Sequence, residues 1–414
     1  MSELKALSSI TSKIGSGLTP RGGNSVYTDS GISLIRSQNV LDMDFSTENL
    51  AYIDDIQAEK LNNVIVEKND ILLNITGDSI ARCTIVPEEI LPARVNQHVS
   101  IIRCKNTEQS KYVMYYLQYI KKYLLQISKV GGTRNALTKE AISKLPIKIS
   151  EDWNRISTIL DNIDRKIKIN NQINQELEAM AKTLYDYWFV QFDFPDQNGK
   201  PYKSSGGKMV YNLELKREIP EGWRVVKIEN IAQTGSGGTP KSTNVSYYSN
   251  GEIPWINSGE LEQTVITSTS NFITEEGLNN SSAKLFPSGT ILVAMYGATA
   301  GKVSFLTFEA STNQAICAIM LNDIRMRYYL KNVIEDLYQY LVKLSTGSAR
   351  DNLSQDMIKN IKVVIPSNEI LDRYYHFSNN IIKEMTKKQQ ENEQLIQLRD
   401  WLLPMLMNGQ VKVK

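Results

Sequence analysis

The chain has 414 residues, 41% of them hydrophobic and 22% charged, with a net charge of +2 at pH 7. These values exclude a disordered chain, and the length suffices for two domains of ordinary size plus connecting helices. There is no run of 18 apolar residues, the N-terminal MSELKALSSITSK lacks a signal-peptide core, Cys83, Cys104 and Cys317 show no metal-type spacing, and His98 and His376 are the only histidines; a cytoplasmic protein with no membrane partner and no histidine-rich metal site is therefore expected.

Residues 1–149 read as a first mixed domain, with β-rich runs at Ser33–Val40, Ile71–Ile75 and Val99–Cys104 punctuated by Gly, Asn and Asp. A helix follows near Ser110–Val130, where Tyr112, Tyr116, Tyr119, Ile120 and Tyr123 recur at helical spacing, a pattern that favours packing over base stacking. Residues 150–191 carry a long helix pattern from Trp153 to Phe189. Residues 192–222 are rich in Pro, Gly, Lys and Ser, have little periodicity, and are expected to be a linker. Residues 223–366 form a second domain with strands near Ile253–Asn257, Thr290–Met295 and Ala315–Leu321 and a helix near Met326–Leu344. Residues 367–414 hold a second long helix, from Ile370 to Met407.

The second half repeats the first. Gly15–Pro20 (GSGLTP) returns as Gly235–Pro240 (GSGGTP), and Ile71-Leu72-Leu73 leading to Gly77 returns as Ile291-Leu292-Val293 leading to Gly297, both 220 positions later. Asn96-Gln97 matches Asn313-Gln314, and Arg134, Leu137 and Ile142 match Arg350, Leu353 and Ile358. A repeat this long is not a solenoid unit; it signals two domains of one fold and approximate two-fold symmetry within one polypeptide. Duplex DNA is the commonest partner of matching symmetry. The near-balanced charge is less basic than phosphate neutralisation alone would demand, so either the basic groups are concentrated on one face or another subunit shares the grip.

Along the first long helix Ile156, Leu160, Ile163, Ile167, Leu177, Ala181, Leu184 and Trp188 fall on a 4-3 spacing, with Asn170 and Asn174 in the same stripe. Along the second, Leu371, Tyr374, Ile381, Met385, Leu395 and Leu402 do the same, with Lys388 and Asn392 as the polar pair. Apolar heptads with a polar layer predict a coiled coil whose register that layer fixes. In an antiparallel pair Asn170 would face Asn392 and Asn174 would face Lys388. The alternative is two amphipathic helices, each packed on its own domain.

Candidate contact residues lie in equivalent loops. Thr19 and Arg21, and Thr239 and Lys241, follow glycine-rich turns where amides and a basic side chain can meet a phosphate. Arg36, Ser37 and Asn39 end one strand, and Asn257 and Ser258 end its counterpart; the two sets differ, as base-reading residues do when half-sites differ. Gly297–Val303 (GATAGKV) is one residue short of a phosphate loop and has Val where Mg²⁺ coordination needs Ser or Thr, and its counterpart Gly77–Cys83 has lost the pattern, so both read as tight turns presenting Lys302 and Arg82. Thr138 and Ser354 are expected helix caps, with Arg134 and Arg350 close to the DNA backbone. Asn96-Gln97 and Asn313-Gln314 are identical, which fits a structural turn as well as a shared contact.

Asp196, Glu214 and Lys216 mimic the two carboxylates and lysine of a Mg²⁺-dependent nuclease, at loose spacing and inside the expected linker. A scaffold that never reads sequence is disfavoured by the difference between Arg36–Asn39 and Asn257–Glu260. No Asn-Pro-Pro-aromatic or Asp-Pro-Pro-aromatic motif for amine methylation is present.

Thr183–Phe194 (TLYDYWFVQFDF), Gly199–Gly207 (GKPYKSSGG), Glu218–Trp223 (EIPEGW) and the ending Trp401–Gln410 together resemble the specificity subunits of type I restriction–modification enzymes, over the whole chain and in the family's order. The resemblance implies an α+β architecture: two homologous target recognition domains with small curved sheets, and two long antiparallel spacer helices. It implies a non-catalytic subunit that binds double-stranded DNA at a bipartite asymmetric site, docks two modification (methyltransferase) subunits, and meets restriction/translocation subunits in the full complex. S-adenosylmethionine would belong to the modification subunit, with no cofactor or metal in this chain.

Overall fold

The computed structural model describes residues 4–129, 135–297, 299–344 and 353–411. They form two compact units, one holding residues up to Ile167 and again from Gln394 onward, the other Lys168–Glu393. Each unit therefore contains one mixed α/β domain and one portion of each long helix.

In the first unit a four-stranded antiparallel sheet runs in the order Thr11–Ser16, Val99–Cys104, Ile71–Asn74, Cys83–Ile85. A second sheet runs Ala51–Ile53, Ile32–Ile35, Ala93–Val95, Ile65–Val66, with its middle strands parallel. The second unit repeats both sheets strand for strand: Ala232–Ser236, Ile316–Leu321, Ile291–Ala294, Val303–Leu306 in one, and Phe272–Ile273, Ile253–Ile256, Ala310–Thr312, Leu285–Phe286 in the other. It adds a short strand, Val265–Ile266, parallel to Val303–Leu306. The register is shared as well, Ile71 facing Ile102 where Ile291 faces Ile319.

The central strand explains its own apolar run. Successive side chains of a strand point to opposite faces. Ile71 and Leu73 pack with Tyr112, Tyr115 and Leu117 of the following helix, whereas Leu72 packs with Leu34, Ile35 and Val95 of the other sheet. A strand covered on both faces has no polar alternation to show. Ile291 and Val293 against Tyr328 and Leu330, and Leu292 against Ile256 and Ala310 of the other sheet, repeat the arrangement.

The tyrosine-rich helix is core: Tyr112 and Tyr115 are fully buried, and the Tyr112 hydroxyl donates to the Lys148 carbonyl at 2.8 Å. It is also two helices, Ser110–Tyr119 and Lys121–Ile127, because Ile120 at φ −90°, ψ 14° leaves helical geometry. The segment at 192–222 is more than a linker. Met209–Asn212 pairs with Arg217–Pro220 as a hairpin, and Phe194 stacks on Tyr202 and Trp223 with centroids 4.6 and 4.9 Å away. Its order comes from spaced aromatic anchors, which leave no periodic signature.

The first long helix spans Trp153–Tyr185 and ends in a π-helical turn, Asp186–Val190; the second spans Asn368–Asn408. In the first unit Ile156 and Leu160 pack with Leu403, Leu406 and Met407, Leu402 lies against the same core, and Arg399 pairs with Asp164 at 2.8 Å. In the second unit Ala181, Tyr185 and Trp188 pack with Tyr374, Ile381 and Met385, and Leu177 and Leu184 line the same core. Within each unit, then, the two helices run antiparallel. Asn170 hydrogen-bonds Asn392 at 2.9 Å. Lys388, by contrast, pairs with Glu391 on its own helix at 3.2 Å, and the buried Asn174 Oδ1 has no protein partner, so the expected Asn174–Lys388 contact is replaced by an intrahelical ion pair. Leu395 is half-buried. Among the described residues no helix is long and apolar enough to cross a membrane.

Candidate nucleic-acid interface

Each domain gathers its loops on one frame. The second glycine of the GSG motif starts it: a Cβ on Gly17 would lie 1.6 Å from the Val95 carbonyl oxygen, and one on Gly237 would lie 2.0 Å from that of Thr312. Only a residue without a side chain lets these backbones pass. Asn96 N then donates to the Ile35 carbonyl at 3.0 Å, and Asn313 N to that of Ile256 at 2.9 Å. Leu137 N donates to Ile75 O at 2.9 Å, and Leu353 N to Met295 O at 2.8 Å.

The glycine turns match despite their different sequences. Ala81 N donates to Asn74 O at 2.9 Å and Arg82 N to Ser79 O at 3.1 Å; Gly301 N donates to Ala294 O at 2.8 Å and Lys302 N to Thr299 O at 2.9 Å. Gly77 (φ 77°) and Ala81 (φ 67°) take the left-handed conformation, as do Gly297 (φ 88°) and Gly301 (φ 78°). Arg82 and Lys302 thus leave equivalent turns, the first half-buried and the second exposed.

In the first domain these loops border a cleft of about 890 Å³ lined by Ser37, Gln38, Thr76, Arg82, His98 and Asn135 among others. Ser37 and Arg82 are the sequence candidates brought together there. Thr76, His98 and Asn135 line it too without belonging to a recognisable motif; the one sequence signal is that His98, one of two histidines in the chain, follows the repeated Asn96-Gln97.

Other candidates are committed to the loops themselves. Asn39 is fully buried; its Oδ1 accepts from Arg36 N at 3.0 Å and its Nδ2 donates to Ser46 O at 3.0 Å, so both ends of its amide brace the strand end. The Arg36 guanidinium donates to the Asn49 carbonyl and lies 5.5 Å over Tyr27. Asn257 takes part in a capping turn, its N–H donating to Glu260 Oε1 at 2.8 Å, and Ser258 O accepts from Thr299 Oγ1 at 2.8 Å. Thr19 and Thr239 each donate to the side-chain oxygen of Gln97 or Gln314. Arg21 and Lys241 are exposed. Thr138 and Ser354 cap short helices, accepting from Ala141 N and Met357 N at 3.1 Å each. Arg134 and Arg350 lie outside the described residues. The repeated asparagines serve a turn, Asn96 Oδ1 accepting from His98 N at 3.0 Å and Asn313 Oδ1 from Ala315 N at 3.1 Å; the glutamines beside them remain exposed.

Both carboxylates of the nuclease-like trio are engaged by other groups. Asp196 Oδ1 accepts from Asn198 N and Lys200 N at 2.8 Å, and Glu214 pairs with Lys362 at 3.2 Å. Among the described residues no group of three His, Cys, Asp or Glu side chains is placed to hold a metal ion.

In the second unit a buried ion cluster ties the first long helix to the recognition domain. Lys331, 3% exposed, pairs with Glu178 at 3.0 Å and Glu335 at 2.8 Å, and Thr264 donates to Glu178. Burial pushes both carboxyls up; at Glu178 the Lys331 charge and the Thr264 hydroxyl outweigh it and leave the group below its usual range, whereas Glu335 stays above.

The family model described as the type I restriction modification DNA specificity domain matches this chain twice, at residues 35–179 and 220–396. The chain is 27% identical over 334 residues to the type I restriction enzyme MjaIX specificity subunit of Methanocaldococcus jannaschii, covering 78% of this chain and 74% of that one. It is 27% identical over 335 residues to the HindI specificity subunit of Haemophilus influenzae, covering 68% and 72%. The type I restriction–modification S subunit from M. genitalium shares its fold at a TM-score of 0.56 and 13% identity, over 97% of this chain and 95% of that one. With the domain matched twice, over more than half of its length, the chain belongs to the type I restriction–modification DNA specificity family.

Proposed function

We propose that this chain is the DNA-reading, non-catalytic subunit of a type I restriction–modification complex, each domain reading one half of a bipartite, asymmetric site. One observation carries this reading: the two domains share matching hydrogen bonds in their loop frame yet present different side chains on it, Thr76 and Arg82 in one, Tyr296 and Lys302 in the other. A frame conserved in geometry but varied in chemistry suits two readers of unlike half-sites. The paired helices act as spacer and as the dock for two modification subunits, which hold S-adenosylmethionine and transfer the methyl group; restriction subunits join these in the full complex, and all work on DNA in the cytoplasm. The relatives' designation as specificity subunits and the engagement of Asp196 and Glu214 by other groups both favour this over a self-contained nuclease.

The test uses purified chain with DNA and Mg²⁺, before and after addition of the methyltransferase subunits. No reaction alone, and methylation at a two-part site once the partner is present, is the expected result. Cleavage by the chain alone overturns the proposal.

A further inference from the structure

A directed chain of hydrogen bonds crosses the first domain's loops. The Thr19 hydroxyl donates to Gln97 Oε1. Gln97 Nε2 lies 3.0 Å from His98 Nε2, and His98 Nδ1 lies 2.5 Å from Thr76 Oγ1. With Gln97 Oε1 turned to Thr19, its Nε2 faces the ring and can only donate, so His98 Nε2 accepts and the ring carries its proton on Nδ1. That proton goes to Thr76 Oγ1. Thr76 is thereby an acceptor toward histidine, and its own O–H is left to donate into the cleft it lines with Ser37, Gln38 and Arg82.

The second domain keeps the start of this chain and reverses its end. Thr239 donates to Gln314 Oε1, as Thr19 does to Gln97. Ala315 stands where the first copy has His98, and Tyr296 where it has Thr76. The Tyr296 hydroxyl donates to the Gln314 carbonyl at 3.0 Å. Its proton is spent on the protein, and its oxygen lone pairs remain for a donor.

We infer that Thr76, oriented by His98, and Tyr296 are specificity-determining residues of opposite polarity: Thr76 donates to a base-edge acceptor in one half-site, and Tyr296 accepts from a base amino group at the equivalent position of the other. This rests on the reading of both domains as DNA readers and adds which chemistry each selects. In the major groove, guanine O6 and N7, thymine O4 and adenine N7 are the acceptors, and adenine N6 and cytosine N4 the amino donors. Thr76 therefore selects against cytosine, and Tyr296 selects adenine or cytosine. His98 is a positioning residue, acting through the direction of the Thr76 proton.

The experiment is site selection from a pool of random duplexes by the complex of full chain and methyltransferase subunits. Thr76→Val is expected to relax base preference about tenfold at one position of one half-site, and Thr76→Ser to retain it. His98→Ala should relax the same position to a smaller degree while leaving overall affinity within a few-fold. Tyr296→Phe should act at one position of the other half alone. If Thr76→Val lowers the melting temperature, His98→Ala and Thr76→Ser carry the comparison. Unchanged preferences in Thr76→Val and Tyr296→Phe, a cytosine at the position Thr76 governs, or both changes falling in one half overturn the proposal with DNA reading intact. A wild-type complex that enriches no sequence overturns DNA reading itself, and this proposal with it.

Discussion

Asn170 Nδ2 donates to Asn392 Oδ1 at 2.9 Å, and Asn392 Nδ2 donates in turn to Asn171 Oδ1 at 2.7 Å, with Asn170 and Asn392 both buried. Glu391 joins the layer, accepting from Asn170 at 3.0 Å and from Lys388 at 3.2 Å. Amides buried between apolar turns cost stability relative to leucine, but any slip of one helix along the other strands them without partners, so they set the register.

Replacing one of these amides is expected to hurt more than replacing both. Asn392→Leu leaves Asn170 short of an acceptor and should cost roughly 1–3 kcal/mol, whereas Asn170→Leu combined with Asn392→Leu should recover most of that loss or exceed wild type. Denaturant midpoints of the single and double variants measure the coupling; additive losses would show that the layer is not a unit.

Arg399 neutralises a partly buried carboxylate in the first unit. Asp164 accepts from Arg399 at 2.8 Å and from the Tyr115 hydroxyl at 2.5 Å, and burial pushes its carboxyl above the usual range despite both. Arg399→Met should cost roughly 1.5–3 kcal/mol at neutral pH. With the folded-state value raised further, the folded form binds its proton more tightly than the unfolded one, so the deficit should shrink on acidification and grow as pH rises through the folded value. Melting temperatures of variant and wild type from pH 4.5 to 8 test the sign; a constant gap refutes it.

Two glycines of one motif should behave differently. Gly15→Ala meets open space and should change stability by less than about 1 kcal/mol, while Gly17→Ala drives a methyl into the Val95 carbonyl and should cost at least about 2 kcal/mol. The same holds for Gly237→Ala against Thr312. Equal effects at Gly15 and Gly17, measured by chemical denaturation, would remove close backbone approach as the reason for the motif.

Arg82 and Lys302 leave equivalent turns with different surroundings, one in the cleft and one exposed. Arg82→Ala should relax one half-site by roughly 1–3 kcal/mol at a single position. Lys302→Ala should weaken all duplexes similarly and lower the slope of log affinity against log salt by about one. Binding titrations at several salt concentrations, on cognate and scrambled DNA, separate the two. Loss at both half-sites from Arg82→Ala contradicts one reader per domain.

The sequence by itself determined the duplication, the two long helices and the loops that meet on each frame. Repeated glycines and 4-3 apolar spacing are local consequences of backbone sterics and helical geometry, and they survive without knowledge of the fold. Thr138 and Ser354 as caps were equally legible, because a cap is satisfied within three residues of itself. Which polar side chains are free was decided only by tertiary structure. Asn39 looked like a base reader until its amide met carbonyls seven and nine residues away. Lys388 found Glu391 before it could reach Asn174, and Phe194 ordered a segment with no periodicity by stacking on Trp223. Thr76 and His98 stand 22 residues apart and meet only because the Ile71–Asn74 and Val99–Cys104 strands pair. A hydrogen bond between distant residues carries no spacing signature, so the direction in which a hydroxyl points belongs to the fold and not to the sequence.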